Sequence, residues 1–304
     1  MRPPDFAIVG ARKCGTTALY SYLATHPGIA MSEHKEPCFW SRDLAAVWKP
    51  MERADYDALW ANAPPGALRG EASPVYLESQ VAVPDLLAAR PDVRLIAMVR
   101  NPVEMAASRH ASLFVEFHED VADFETAWRL QERRMRGEAI PPGCKAPALV
   151  QYRNYAAIGD QLERFLALVP AEQRLVVVYE DFRADTHREY LRTLALLGLT
   201  DDGRANFAPV QQNLALHWPG LPGFQARLGR RLGWLRRPAR AVAHAMGLSP
   251  AAVLNKANLH RARRKPLRPQ FEQELIADFL PQIEKLERLL GRDLAAWKAP
   301  LPPG

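Results

Sequence analysis

Cysteine is scarce in this chain. Cys14, Cys38 and Cys144 are the only three in 304 residues. An odd number without paired spacing argues against a disulfide framework and against a cysteine-based zinc cluster. Long hydrophobic runs are missing too. No apolar stretch approaches the roughly 18–20 residues that span a bilayer, and the amino terminus opens on a short apolar run without the architecture of a signal peptide. These absences lead us to expect a cytoplasmic protein. Acidic residues vanish over one long region: from Gly203 to Phe271 there is no Asp or Glu, against thirteen Arg and Lys. The whole chain has a formal net charge of +6, so the remainder carries seven net negative charges. Such segregation points to an anionic partner for that one region.

What is present reads as one large core. A chain of this length with 48% hydrophobic residues suits a single domain over 1–304, with 203–268 as a basic region within it. Apolar runs near 5–10, 67–70, 93–100 and 174–179 predict strands. Helical patterns fall near 16–26, 102–117, 122–136, 152–168, 185–197 and 270–290. That alternation predicts an α/β fold with a central, mostly parallel sheet covered by helices on both faces. Pro and Gly concentrate at 62–66, 141–147 and 219–223, which read as loops. No internal repeat or low-complexity tract appears.

Asp5 to Ala18 carries the sharpest signal. An apolar run ends at Gly10, crosses the basic turn of Arg12 and Lys13, and meets Gly15, Thr16 and Thr17 at a helix start. Backbone N–H groups at such a start, with a lysine beside them, cradle a phosphate-like anion. The Gly10–Gly15 spacing matches a P-loop, which makes the expected three-layer fold P-loop-like. A Walker loop, however, places lysine directly after the second glycine, where this chain has Thr16. A magnesium-dependent kinase or ATPase, with Asp181 of Arg174–Phe182 (RLVVVYEDF) on the metal, is one rival reading. A non-catalytic nucleic-acid binder using the basic region is another, tested by steep salt dependence.

Three further segments sharpen the reading. Leu95–Val99 is a continuous apolar run suited to a strand buried on both faces. It ends at Arg100, and Asn101, Pro102 and Glu104 read as N-cap, first helical residue and capping-box acid. Arg100 therefore sits at the carboxyl edge of a buried strand, where open α/β sheets bind ligands, although capping that edge would also explain it. Glu33–Trp40 (EHKEPCFW) offers Glu36 beside Phe39 and Trp40; apolar rings raise a carboxylate's pKa toward that of a useful base. Gly70–Leu77 (GEASPVYL) forces an extended turn after a short strand, which serves either as a strand-ending turn or as one wall of a substrate site.

Taken together, these residues resemble the sulfotransferases that use 3'-phosphoadenosine 5'-phosphosulfate (PAPS), most closely the bacterial type and the heparan sulfate enzyme domains. Arg12–Thr17 fits the family's R/P-K-x-G-T-T/S loop, and Arg100 with Ser108 fits its 3'-phosphate site. Glu36 fits its catalytic glutamate, with Cys38 where relatives often have histidine. Residues 270–297, ending LLGRDLAAW, fit its closing helix. The resemblance implies an enzyme moving a sulfuryl group from PAPS to a hydroxyl or amine of a carbohydrate, lipid or small-molecule acceptor, releasing PAP without a metal. It implies that the Gly15–Ala18 amides with Arg12, Lys13, Cys14, Thr16 and Thr17 bind the 5'-phosphosulfate, that Lys13 neutralises the leaving group, and that Glu36 is the base. Ser73 and Tyr76 are expected to orient the acceptor. Ala72 stands where the heparan-type enzymes have a lysine, so that role is vacant or filled by another residue.

The resemblance places part of the basic region over the donor, with Arg263, Arg264 and Lys265 closing on the 3'-phosphate. Residues 224–246, mixing Phe224, Leu228, Leu232, Trp234 and Leu235 with arginines, then suit an anionic membrane surface, an acidic polysaccharide, or simply solvent. No nucleic acid is expected. Cys14, at a helix start beside Lys13, either favours its thiolate or is an inert small residue where many relatives have glycine or serine.

Overall fold

A computed structural model describes residues 3–208, 214–216, 259–261 and 266–300. Its centre is a five-stranded sheet of β1 (Phe6–Gly10), β2 (Ile29–Met31), β3 (Leu68–Ala72), β4 (Arg94–Val99) and β5 (Arg174–Val178). The order is β2-β3-β1-β4-β5, and every adjacent pair is parallel. The two most apolar runs take the middle. All five residues of β1 are buried, as are the last five of β4, as expected of strands covered on both faces. Edge strand β2 has only three residues, too few for periodicity to mark it in sequence.

Eleven α-helices are formed among the described residues. They are α1 (Thr16–Leu23), α2 (Arg53–Ala58), α3 (Ala82–Ala89), α4 (Pro102–Val115), α5 (Phe124–Arg129), α6 (Gln131–Met135), α7 (Tyr152–Tyr155), α8 (Ile158–Leu168), α9 (Tyr179–Ala184), α10 (Thr186–Leu197) and α11 (Pro269–Leu290). The expected helix over 122–136 is two helices, and so is that over 152–168. Helix α10 begins afresh after α9 because the Asp185 side chain accepts from the Arg188 N–H at 2.9 Å, capping a new first turn. Phe271, Leu275, Phe279, Ile283 and Leu286 of α11 are buried, as their spacing predicts. Among the described residues no helix is long and apolar enough to cross a membrane.

The chain divides into two compact units: residues 1–106, 153–211 and 268–304, and residues 107–152 and 212–267. The first holds the sheet. In the second, Arg134 grips Glu119 through two bonds of 2.6 and 2.8 Å, both side chains fully buried. The Asp120 and Val121 N–H groups and the Tyr152 hydroxyl complete the carboxylate's partners. A buried ion pair is tolerable only when its remaining hydrogen bonds are satisfied in this way. The second unit also contains an antiparallel pair, β6 (Leu214–Leu216) and β7 (Leu259–Arg261).

Candidate active site

The carboxyl ends of β1, β3, β4 and β5 bring four segments of the first unit together. The β1–α1 loop is held from behind, the Ala11 N–H donating to the Met98 carbonyl at 2.7 Å. Both glycines are required by close approach. A Cβ on Gly10 would lie 2.5 Å from the Leu77 Cβ, and one on Gly15 would lie 3.1 Å from the Tyr179 ring. Gly15 is the α1 N-cap at φ 91°, with no side-chain cap. The N–H groups of Gly15, Thr16 and Thr17 take no backbone partner among the described residues. Ala18 departs from expectation: its N–H is spent on the Gly15 carbonyl at 3.0 Å. Three free amides at a helix start, no Cβ on the first and Lys13 in the turn before them fit a phosphate-sized anion.

Cys14 corrects the sequence reading. Its side chain is fully buried and its Sγ donates to the Arg12 carbonyl at 3.5 Å. Burial pushes the thiol far above its ordinary value, and the charges of Arg100 and Lys13 only partly offset this. The thiol points into the core, not at an anion. Iodoacetamide is expected to leave Cys14 unmodified in the folded protein and to label it once guanidinium unfolds the chain, read by peptide mass spectrometry. Equal labelling in both states would contradict this burial.

Arg100 follows β4, as the sequence indicates, and is already engaged there. Its Nη1 donates to the Lys13 carbonyl at 3.1 Å, its Nη2 to Glu104 at 2.6 Å, and its guanidinium lies 4.3 Å from the Tyr179 ring centroid. Its Nε is buried with no partner among the described residues. The capping box is altered accordingly. Asn101 caps α4 through its Oδ1, which accepts from the Val103 N–H at 2.9 Å. Because Glu104 turns back to Arg100, the Asn101 N–H donates instead to Glu180 at 3.3 Å. Burial raises the Glu180 carboxyl pKa. Ser108, about two turns into α4 and buried, falls in the second unit. Asp181, the metal ligand of a kinase reading, is ion-paired with Arg292.

Glu36 lies against the same loop. Its carboxylate is 3.6 Å from Arg12 Nη1 and 2.5 Å from Lys35 Nζ, with a third of the side chain exposed. The Arg12 guanidinium lies over the Trp48 ring, 3.9 Å from its centroid. The expected rise in the Glu36 pKa is reversed. Burial does push it up, but Arg12, Lys35 and Lys13 together outweigh burial and hold the carboxyl below its usual range. Apolar rings alone would have raised it; sequence could not show that a guanidinium from a loop some twenty residues earlier arrives beside it. Lys13, Glu36 and Cys38 have φ of 64°, 62° and 53°, three of the five described non-glycine residues with positive φ. Each such conformation costs about 1–3 kcal/mol and persists only where surrounding structure imposes it.

Ser73 and Tyr76 face inward, contrary to the expectation that they orient substrate. Both are fully buried. Ser73 Oγ accepts from the Cys38 N–H at 3.1 Å, and the Tyr76 hydroxyl accepts from the Trp40 N–H at 3.3 Å. They hold the Glu36 loop. The open ground beside Glu36 is a 220 Å³ cleft lined by His34, Pro37, Lys49, Met51, Glu52 and Asp55. Arg263, Arg264 and Lys265, and the stretch 224–246, lie outside the described residues.

Comparison with known proteins places these features in context. The family model for the sulfotransferase domain matches residues 3–213. The chain is 32% identical over 109 residues to the membrane-associated sulfotransferase kil1 of Dictyostelium discoideum, covering 35% of this chain and 22% of that protein. It is 31% identical over 140 residues to mouse heparan sulfate glucosamine 3-O-sulfotransferase 6, covering 42% of this chain and 39% of the relative. Against human heparan sulfate glucosamine 3-O-sulfotransferase 3B1 it is 29% identical over 198 residues, 64% of this chain and 46% of the relative. These matches cover less than half the length of each curated relative. A crystal structure of a sulfotransferase from Alicyclobacillus acidocaldarius superposes with a TM-score of 0.70 at 24% identity, covering 98% of this chain and all of that one. That likeness shows the shared fold.

Proposed function

The chain belongs to the sulfotransferase family, and from that premise we propose that it transfers the sulfuryl group of PAPS to a hydroxyl of a carbohydrate or other small polar acceptor. One observation carries the proposal: the Glu36 carboxylate stands 3.6 Å from Arg12, the arginine of the anion loop itself. A base candidate and an anion cradle share one wall.

The roles follow from position. The Gly15–Thr17 amides and the Thr16 and Thr17 hydroxyls would hold the donor's 5'-phosphosulfate, with Lys13 and Arg12 supplying positive charge. The donor supplies an activated sulfuryl group whose bridging S–O bond breaks as the acceptor oxygen bonds to sulfur. Glu36 takes the proton from that oxygen. Lys13 balances the charge that gathers on the departing PAP. Oriented amides and cations provide the field here, so no step calls for a metal. The cleft beside Glu36 would seat the acceptor, and its mixture of Lys49, His34, Glu52 and Asp55 suits a hydrogen-bonding molecule over an apolar one. The heparan sulfate glucosamine enzymes among its relatives favour a sugar hydroxyl.

Arg100, with its orphaned Nε, would meet the 3'-phosphate once Glu104 gives way. Calorimetric titration tests this. The wild type should bind PAP at least tenfold more tightly than AMP, and Arg100→Ala should erase most of that difference, any fall in AMP binding itself reporting the lost support to the Lys13 carbonyl. Preference for ATP with magnesium over PAP would defeat the whole assignment.

A further inference from the structure

Beneath the Glu36 loop lies a buried acid that these roles leave unused. Glu71, at the carboxyl end of β3, is fully buried, and neither of its carboxyl oxygens makes a hydrogen bond of good geometry. The groups that act on it are the hydroxyls of Tyr56 and Tyr76, both also fully buried. Those hydroxyls are occupied on their other side. Tyr56 accepts from the Trp40 indole N–H at 2.8 Å, and Tyr76 from the Trp40 backbone N–H at 3.3 Å. Each therefore has its own proton left to give, and Glu71 is the acid toward which it can be given. The same strand end fixes the rest of the loop: the Ala72 carbonyl accepts from the Glu36 N–H at 3.0 Å, and Ser73 accepts from the Cys38 N–H.

We infer that Glu71 is a positioning residue, which anchors Tyr56 and Tyr76 so that they hold Trp40 and thereby fix the strained turn presenting Glu36. The inference rests on Glu36 being the proton acceptor. It also assigns Glu71 a protonation state. Tyr56 faces it from α2, Tyr76 from the turn after β3 and Cys38 from the loop, while its sheet partner on β1 is Ala7. None of these is cationic at neutral pH. An unpaired buried carboxylate is costly, so Glu71 stays a neutral acid, its pKa pushed up to about 8 by burial. As pH rises toward that value the opened turn, in which the acid ionises freely, is increasingly favoured over the closed one.

Hydrogen exchange of the peptide spanning residues 36–41 tests this in the full chain, with rates corrected for intrinsic base catalysis between pH 6 and 9. The wild type should lose at least tenfold protection as pH rises from 6 to 8 and level off above that. Glu71→Gln, which stays neutral and can still hydrogen-bond both tyrosines, should remain protected throughout. Glu71→Leu should be at least tenfold less protected at every pH, while peptides from β1 and β4 exchange as in the wild type. The same alkaline fall should appear in sulfate turnover for the wild type and vanish in Glu71→Gln. Protection of residues 36–41 that is independent of pH in the wild type, or unchanged in Glu71→Leu, would overturn the inference. Loss of protection across the whole sheet in Glu71→Leu would overturn it as well, since Glu71 would then serve the core. Failure to bind PAP would instead remove the sulfotransferase assignment of this site and leave the exchange result standing.

Discussion

Glu36→Gln is expected to lower kcat by roughly 10²–10⁴-fold, the usual worth of a positioned general base. Glutamine matches glutamate in size and keeps the turn's hydrogen bonds, since the Glu36 N–H to Ala72 contact is backbone. PAP affinity should therefore stay within a fewfold of the wild type. The pH profile adds a sign. Arg12, Lys35 and Lys13 hold the Glu36 carboxyl below its ordinary value against the pull of burial, so the proton-accepting form persists below about pH 4.5, the usual carboxylate value. The acidic limb of kcat that belongs to Glu36 should lie below that point. Arg12→Ala, which removes the nearest guanidinium, should move the limb upward. Easy ionisation has a chemical cost, because a weaker base takes a proton less eagerly. The arrangement works if transfer comes late, when bond formation to sulfur has made the hydroxyl proton acidic. Wild-type turnover in Glu36→Gln would dismiss this residue as the base.

Lys13→Ala should reduce kcat by roughly 10²–10³-fold, the scale of losing one preorganised donor to developing charge. Arg100 contacts the Lys13 carbonyl, not its side chain, so the loop keeps its rear support. Alanine takes the positive φ at this site with strain similar to that of lysine. Lys13→Arg should recover part of the lost rate, because charge is restored in a different shape. Rates and PAP affinities for the three proteins, measured side by side, decide the matter. A Lys13→Ala enzyme with unaltered kcat and weakened PAP binding would make the residue a ground-state binder only.

Much of this site was legible from residues in order. The apolar run of β1 closing on Gly10, and that of β4 closing on Arg100, each mark a strand end, and parallel strands bring their ends to one edge of a sheet. Gly15 and the threonines after it mark a helix start, whose free amides follow from helical geometry. The Glu36 segment was recognisable by its motif, although nothing in its own sequence set its ionisation.

What remained hidden depends on contacts between segments distant in sequence. Cys14 looked reactive because lysine is its neighbour along the chain, yet its thiol turns into the core, where burial outweighs that charge. Ser73 and Tyr76 looked like substrate contacts because their segment ends beside the site, yet they grip the Glu36 loop from within. Glu104 looked like a capping acid and pairs with Arg100 instead.

Sequence alone marked four of the five sheet strands, the longer helices, the glycine turn before α1 and the candidate base, because periodicity and local turn chemistry are encoded over a few consecutive residues. Tertiary structure alone decided which charges meet, which hydroxyls face inward and which acids ionise. Those properties depend on dielectric burial and on distances of a few ångströms between residues that chain order keeps far apart.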